Sequence, residues 1–157
     1  MKKTAEAMSL GHPDKTADYI SSYILDRMIE QDAAVKYAVE VMIKDNTVIL
    51  GGEVKGNVSL ASVNDYVLEA LAEIGYDDFY SRRWGKYAIE PAKIKVVNLI
   101  GQQSADISQG VEQDGWGDQG VFVGYACQGA DNISREQYLA KKLCKALYEY
   151  ALQNIHL

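Results

Sequence analysis

The sequence predicts an α+β fold, a mixed, largely antiparallel sheet with helices packed on one face. Three observations lead there. The apolar pattern switches between helical and two-residue periods in the order helix, strand, strand, helix, strand, loop, strand, helix. Two of the strands follow each other directly, which favours antiparallel pairing. The helical stripes are one-sided, as expected of helices lying on a sheet.

The elements follow in order. From Pro13 to about Gln31, Ala17, Ile20, Ile24, Leu25 and Met28 recur at helical spacing. Asp14 and Asp18 lie near its N-terminal end, where negative charge is favoured. Val35, Tyr37, Val39, Val41 and Ile43 then alternate with Lys36, Ala38, Glu40, Met42 and Lys44, a half-buried strand. Asp45-Asn46 supplies a turn, and Val48 to about Lys55 forms the second arm of a hairpin. Ser62, with Asp65 three residues on, marks a capped helix. Its stripe is Val63, Tyr66, Val67, Ala70, Leu71 and Ile74, and Gly75 ends it. Tyr76 to Pro91 has no period and is expected to be a loop. Lys93 to Ile100 is expected to be a strand, Val121 to Ala126 another. Ser134 and Gln137 open a last helix with the stripe Leu139, Leu143, Leu147 and Tyr150.

The 157 residues suffice for one domain with a core, and no linker or low-complexity stretch divides positions 1–157. An apolar fraction of 48% and a charged fraction of 24% are those of a soluble globular protein. The net charge of −6 argues against nucleic acid or an anionic membrane as the main partner. Arg82, Arg83 and Lys86 are the one basic cluster, expected to be a solvated loop. Cys127 and Cys144 lack metal-type spacing and suit free thiols in a reducing cytosol. No apolar run approaches the ~20 residues that cross a bilayer, and no signal-type stretch follows Lys2-Lys3. The expected location is the cytoplasm.

Three segments point to chemistry. Gly11-His12-Pro13-Asp14-Lys15 delivers a histidine, a carboxylate and an ammonium to a helix start. Exposed N–H groups and the helix dipole favour an anion there, His12 and Lys15 add donors, and Asp14 suits a hard cation such as magnesium. The arrangement is a seat for a magnesium–polyphosphate; an ordinary capped helix start is the alternative. Gly101 to Gly120 is polar, amide-rich and long for a connector, as in a lid that closes over a polar ligand. Glu40 and Glu53 occupy strands of one hairpin, and Gly51-Gly52 leaves room for a ligand beside the backbone.

Gly11-His12-Pro13-Asp14-Lys15, Gly51-Gly52-Glu53, Ile100-Gly101-Gln102-Gln103-Ser104 and Gly117-Asp118-Gln119-Gly120 occur in that order. With them the chain resembles S-adenosylmethionine synthetase from about Ser9 to Ala126, and the last helix is similar to the one that follows in that family. The resemblance implies one repeat of that fold, and formation of S-adenosylmethionine from ATP and methionine with magnesium and potassium. It implies that His12 contacts the triphosphate at the breaking bond, with Lys15 beside it, and that Asp14 holds magnesium. Glu40 would sit at a potassium site, Glu53 would take the methionine ammonium, and Gln103 would fix the methionine end. Asp118 would meet the substrates from the far side, and Gln103 to about Gln113 would gate the site.

Leu10, Gln102, Ala105 and Trp116 depart from residues usual in the family, which are glutamate, lysine, proline and a small residue. Family members are also longer, and their later acidic and basic phosphate ligands have no counterpart here. The expectation is therefore a synthetase-like transferase whose site is completed by homo-oligomerisation or by a partner synthetase chain. The alternative is a non-catalytic relative that binds nucleotide, methionine or a full-length subunit.

Overall fold

The computed structural model describes residues 2–9, 11–84, 89–103 and 121–154. The chain divides into two compact units, Pro13–Gly117 and Met1–His12 with Asp118–Leu157.

The larger unit contains the sheet. Helix α1 (Pro13–Gln31) leads to strands β1 (Lys36–Lys44) and β2 (Thr47–Lys55), then helix α2 (Val63–Ile74), helix α3 (Asp78–Trp84), a 3-10 turn over Pro91–Lys93 and strand β3 (Lys95–Gln102). The strand order is β1-β2-β3, antiparallel between the first two and parallel between the last two. This mixed sheet with helices on one face is the expected α+β arrangement.

The hairpin forms because Asp45 accepts a left-handed backbone, φ 52°, in a two-residue turn that sets Lys44 opposite Thr47. Asn46 then guides β3 alongside β2. Its carbonyl accepts from Lys95 N–H at 2.8 Å, and its side-chain oxygen accepts from Glu90 N–H at 2.8 Å.

Period-two alternation puts Val39, Val48, Leu50 and Val54 on the inner face. There they pack with Ile20, Ile24 and Met28 of α1 and Val63, Val67, Ala70 and Leu71 of α2. Burial of each of these side chains larger than alanine stabilises by about 1.5–3 kcal/mol, so this cluster is the main cohesive element. Ser21 pins α1 to β1, its Oγ donating to the Val39 carbonyl at 3.1 Å, while Tyr37 Oη donates to the Ser21 carbonyl at 2.9 Å. Burial raises the Tyr37 phenol above its ordinary value. The two helices are joined by Tyr19 and Tyr23, whose hydroxyls donate to Glu73 and Glu69 at 2.5 and 2.9 Å.

Two expectations are corrected here. Ser62 stands at the N-cap of α2, but its side chain makes no capping bond. Gly75, at φ 114°, does end the helix as expected, with Tyr76 N–H closing on the Leu71 carbonyl at 3.0 Å. The stretch after Tyr76 is not all loop. Asp77 Oδ1 accepts from Tyr80 N–H at 2.7 Å and starts α3, and Tyr76 meets Tyr80 edge-on at 5.4 Å. This helix buries no residue, so it leaves no apolar period in the sequence.

In the smaller unit a 3-10 turn (Ala130–Asn132) precedes helix α4 (Arg135–Gln153). Ser134 Oγ accepts from Gln137 N–H at 3.3 Å, the expected cap. The N-terminal segment lies on this helix through Lys3–Glu136 at 3.6 Å and a bond from Gln137 Nε2 to the Glu6 carbonyl at 3.0 Å. The expected strand at Val121–Ala126 does not form. The segment has no ladder partner among the described residues, and its side chains lie open to solvent. The α4 stripe of Leu139, Leu143, Leu147 and Tyr150 is exposed too.

Candidate functional site

The outer face of the sheet is built by the register. Glu40 lies opposite Gly51, and Glu53 lies between Ala38 and Gly101. Glu40 and Glu53 therefore share one face as diagonal neighbours on adjacent strands, a relation that spans roughly 7–8 Å between backbone positions. Neither α1 nor α2 covers this face, since both pack on the other.

The two glycines of β2 have different uses. A side chain at Gly51 would meet nothing within 4 Å, so the space expected beside the backbone lies there, between Glu40 and Leu99. At Gly52, φ is +127° and a Cβ would stand 2.0 Å from the Ala38 carbonyl oxygen. Gly52 thus permits close strand approach and offers no room.

Gln103 continues β3 beyond its last ladder residue. Its N–H donates to the Val54 carbonyl at 2.8 Å, one residue beyond Glu53. Its Oε1 is buried and has no hydrogen-bond partner among the described residues. A buried amide oxygen left without a donor costs about 1–3 kcal/mol, and a donor from a ligand recovers it. Glu53 and Gln103 thus lie near the end of the sheet where β2 and β3 finish, both half-buried, while Glu40 stands on the same face nearer the middle of β1.

His12, Asp14 and Lys15 form the second group, exposed at the start of α1. A turn closed by His12 N–H to the Ser9 carbonyl at 3.0 Å leads into Pro13. Pro13 suits the first helical position, where an N–H has no intrahelical acceptor. Asp118 and the expected gating segment after Gln103 lie outside the described residues.

Among the described residues no three His, Cys, Asp or Glu side chains converge on a metal position. Magnesium fits the donor set at Asp14, because it commonly takes one or two carboxylates and completes its shell with water and phosphate oxygens. Glu40 beside the open backbone of Gly51 is likewise a carboxylate with space for a monovalent cation.

Comparison with known proteins agrees with the sequence motifs. Residues 1–105 match the family described as S-adenosylmethionine synthetase, N-terminal domain. The S-adenosylmethionine synthase of a Nitratiruptor species is 41% identical over 132 residues, which is 82% of this chain and 32% of that protein. The Sulfurimonas denitrificans protein of the same name is 37% identical over 97% of this chain and 38% of its own length. A solved structure of an unusual S-adenosylmethionine synthetase from Campylobacter jejuni superposes with a TM-score of 0.77 at 33% identity, over 94% of this chain and 37% of that one. The chain thus spans between 32% and 38% of the length of these relatives.

Proposed function

The chain belongs to the S-adenosylmethionine synthetase family, and from that premise we propose that it serves the formation of S-adenosylmethionine from ATP and methionine, as one N-terminal-like domain of a composite site. One observation supports this above the rest. Glu40 faces the open backbone of Gly51, Glu53 is its diagonal neighbour on β2, and Gln103, with an amide oxygen that has no partner among the described residues, follows beyond Glu53 on β3. An ammonium ion supplies donors to a carboxylate and to an amide oxygen alike, so Glu53 and Gln103 suit the amino-acid end of methionine. Glu40 suits potassium.

Attack by a neutral thioether sulfur on a ribose carbon needs positioning and stabilisation of the leaving polyphosphate more than acid–base help. His12 and Lys15 supply donors for that polyphosphate at the start of α1, and Asp118 would add a carboxylate for the substrates, as the family resemblance implies. Magnesium, held by Asp14, would neutralise phosphate charge.

Homo-oligomerisation or a partner synthetase chain supplies the remaining phosphate ligands. Met42 and Leu99, 58% and 66% exposed on the same outer face as the two glutamates, give self-association a surface to cover. A cytoplasmic location fits two cysteines that are both free thiols. No helix of the described residues is long and apolar enough to cross a membrane.

A second reading rests on the family match itself, which is to the N-terminal domain. A domain of this extent can bind methionine, nucleotide or a full-length subunit without turning over. Formation of S-adenosylmethionine and phosphate by the purified protein, alone and with a candidate partner chain, separates the two. Turnover that is lost in His12→Ala supports the first reading. Methionine binding without turnover in either setting supports the second.

A further inference from the structure

On the outer face of the sheet Glu53 is flanked by small residues. Its cross-strand neighbours are Ala38 on β1 and Gly101 on β3, and Gly51 precedes it on the same face. A Cβ added at Gly51 or at Gly101 would meet nothing within 4 Å, so there is room on both sides of the carboxylate. The long neighbours of Glu53 toward the end of the hairpin are both lysines. Lys55 follows it by two residues on β2, on the same face and about 7 Å along the strand. Lys36 lies directly opposite Lys55 in the β1–β2 ladder and diagonal to Glu53. Like charges directly opposite in an antiparallel pair are destabilising, so these two ammoniums are held together against the interest of the hairpin. Lys36 is exposed, Lys55 is half-buried, and among the described residues Lys36 forms no ion pair.

We propose that Lys36 and Lys55 form a carboxylate subsite, so that the outer face around Glu53 receives the whole zwitterionic head of an α-amino acid. This rests on the reading of Glu53 and Gln103 as the amino-acid end of a methionine site, and it assigns the half of the head group which that reading leaves without a partner. An α-amino acid carries its ammonium and its carboxylate on one carbon. A site that reads both must therefore set a negative and a positive group side by side, as Glu53 and the lysine pair are set. Charge balance for Glu53 alone needs one lysine, not two facing each other. A carboxylate shared between Lys36 and Lys55 relieves their repulsion through charge-assisted hydrogen bonds, and an amine without a carboxylate leaves it in place. The pair thus discriminates against simple amines, amides and esters of the same side chain, because such ligands forfeit these bonds.

The test is calorimetric binding of methionine and of methioninamide to the intact chain. The measurement is made at about pH 6.5, below the ~7.7 of an α-amino group, so that both ligands carry an ammonium. The parent should bind methionine roughly tenfold or more tightly than methioninamide, the low end for a charge-assisted bond. In Lys36→Gln combined with Lys55→Gln the methionine affinity should fall to that of methioninamide, whose own affinity is unchanged. Lys36→Gln alone, at an exposed position, should lose part of the preference and keep or raise the melting temperature, since it relieves the repulsion. Equal affinity of the parent for the two ligands, or a preference that survives the lysine variants, would overturn the subsite. So would equal weakening of both ligands in Lys36→Gln, which would reduce that lysine to a counter-charge for Glu53. In each of these cases a loss of methionine binding in Glu53→Gln leaves the amino-acid reading of the site standing. Binding of neither ligand by the parent overturns that reading and the subsite together.

Discussion

Replacing Gly52 with alanine tests the tightest contact in the hairpin. The new Cβ would stand 2.0 Å from the Ala38 carbonyl oxygen and 3.0 Å from Val39 Cα, and both are backbone atoms that no rotamer change can move. At φ +127° the alanine also adopts a conformation that L residues avoid, and left-handed backbone typically costs roughly 1–2 kcal/mol. Relief requires β1 and β2 to separate, and overpacking of this kind costs about 1–3 kcal/mol. A total near 3 kcal/mol is a large share of the ~5–15 kcal/mol that holds a domain folded. For a unit of this size it lowers the melting temperature by about 12 °C or more. The control is Gly51→Ala, one residue away, where the Cβ meets nothing within 4 Å and the melting temperature should hold within about 4 °C. Thermal unfolding of both variants by circular dichroism decides the matter. Equal melting temperatures for the two would refute the assignment of Gly52 to strand contact.

Gly51→Ala should instead weaken methionine binding severalfold by calorimetry, since it fills the open space beside Glu40 and Glu53. Unchanged affinity would place the ligand elsewhere. Glu53→Gln should cost methionine affinity tenfold or more, the equivalent of about 1.5–3 kcal/mol for a charge-assisted bond, with little change in melting temperature. Asp14→Asn should weaken ATP binding in magnesium and leave it nearly unchanged in EDTA; equal loss in both buffers would make Asp14 a helix-start residue only. Asp32 accepts from Asn57 N–H and Ala34 N–H at 2.8 and 2.9 Å, and these bonds lower its pKa below the usual carboxylate value. Its contribution is present above the unfolded-state pKa and is lost as pH falls through the folded one. Urea unfolding should therefore show Asp32→Asn less stable than the parent at pH 7, with the gap closing under acid conditions. A gap that stays constant with pH would count against the carboxylate.

Much of the hairpin was legible because strict alternation from Val35 to Lys44 names both faces, and Asp45-Asn46 names the turn. Once that two-residue turn is granted, the diagonal placement of Glu40 and Glu53 follows from counting along the strands. Gly75 announced the end of α2 through its backbone freedom. Helix α3 was hidden because its stabilisers, the Asp77 carboxylate and the Tyr76–Tyr80 edge contact, produce no apolar period. The distinct uses of Gly51 and Gly52 were equally hidden, since they depend on how close the Ala38 carbonyl comes. The orphaned oxygen of Gln103 depends on burial beside a parallel strand that local sequence cannot place. Val121–Ala126 had the composition of a strand, but a strand exists only where another supplies its hydrogen bonds.

The position of β2 between two unlike neighbours bears on the order in which the site is assembled. Its pairing with β1 closes across a two-residue turn, and hairpins form in about 1–10 μs. Its pairing with β3 must wait for the chain to pass through α2 and α3 and return, a slower event because a long loop has to be closed first. Glu40 and Glu53 are thus set early, and Gln103 arrives with the strand that docks last. A ligand that bridges Glu53 and Gln103 would clamp the latest-forming edge of the sheet. Substrate would then act as a folding cofactor for this edge, slowing its local opening as well as occupying the site.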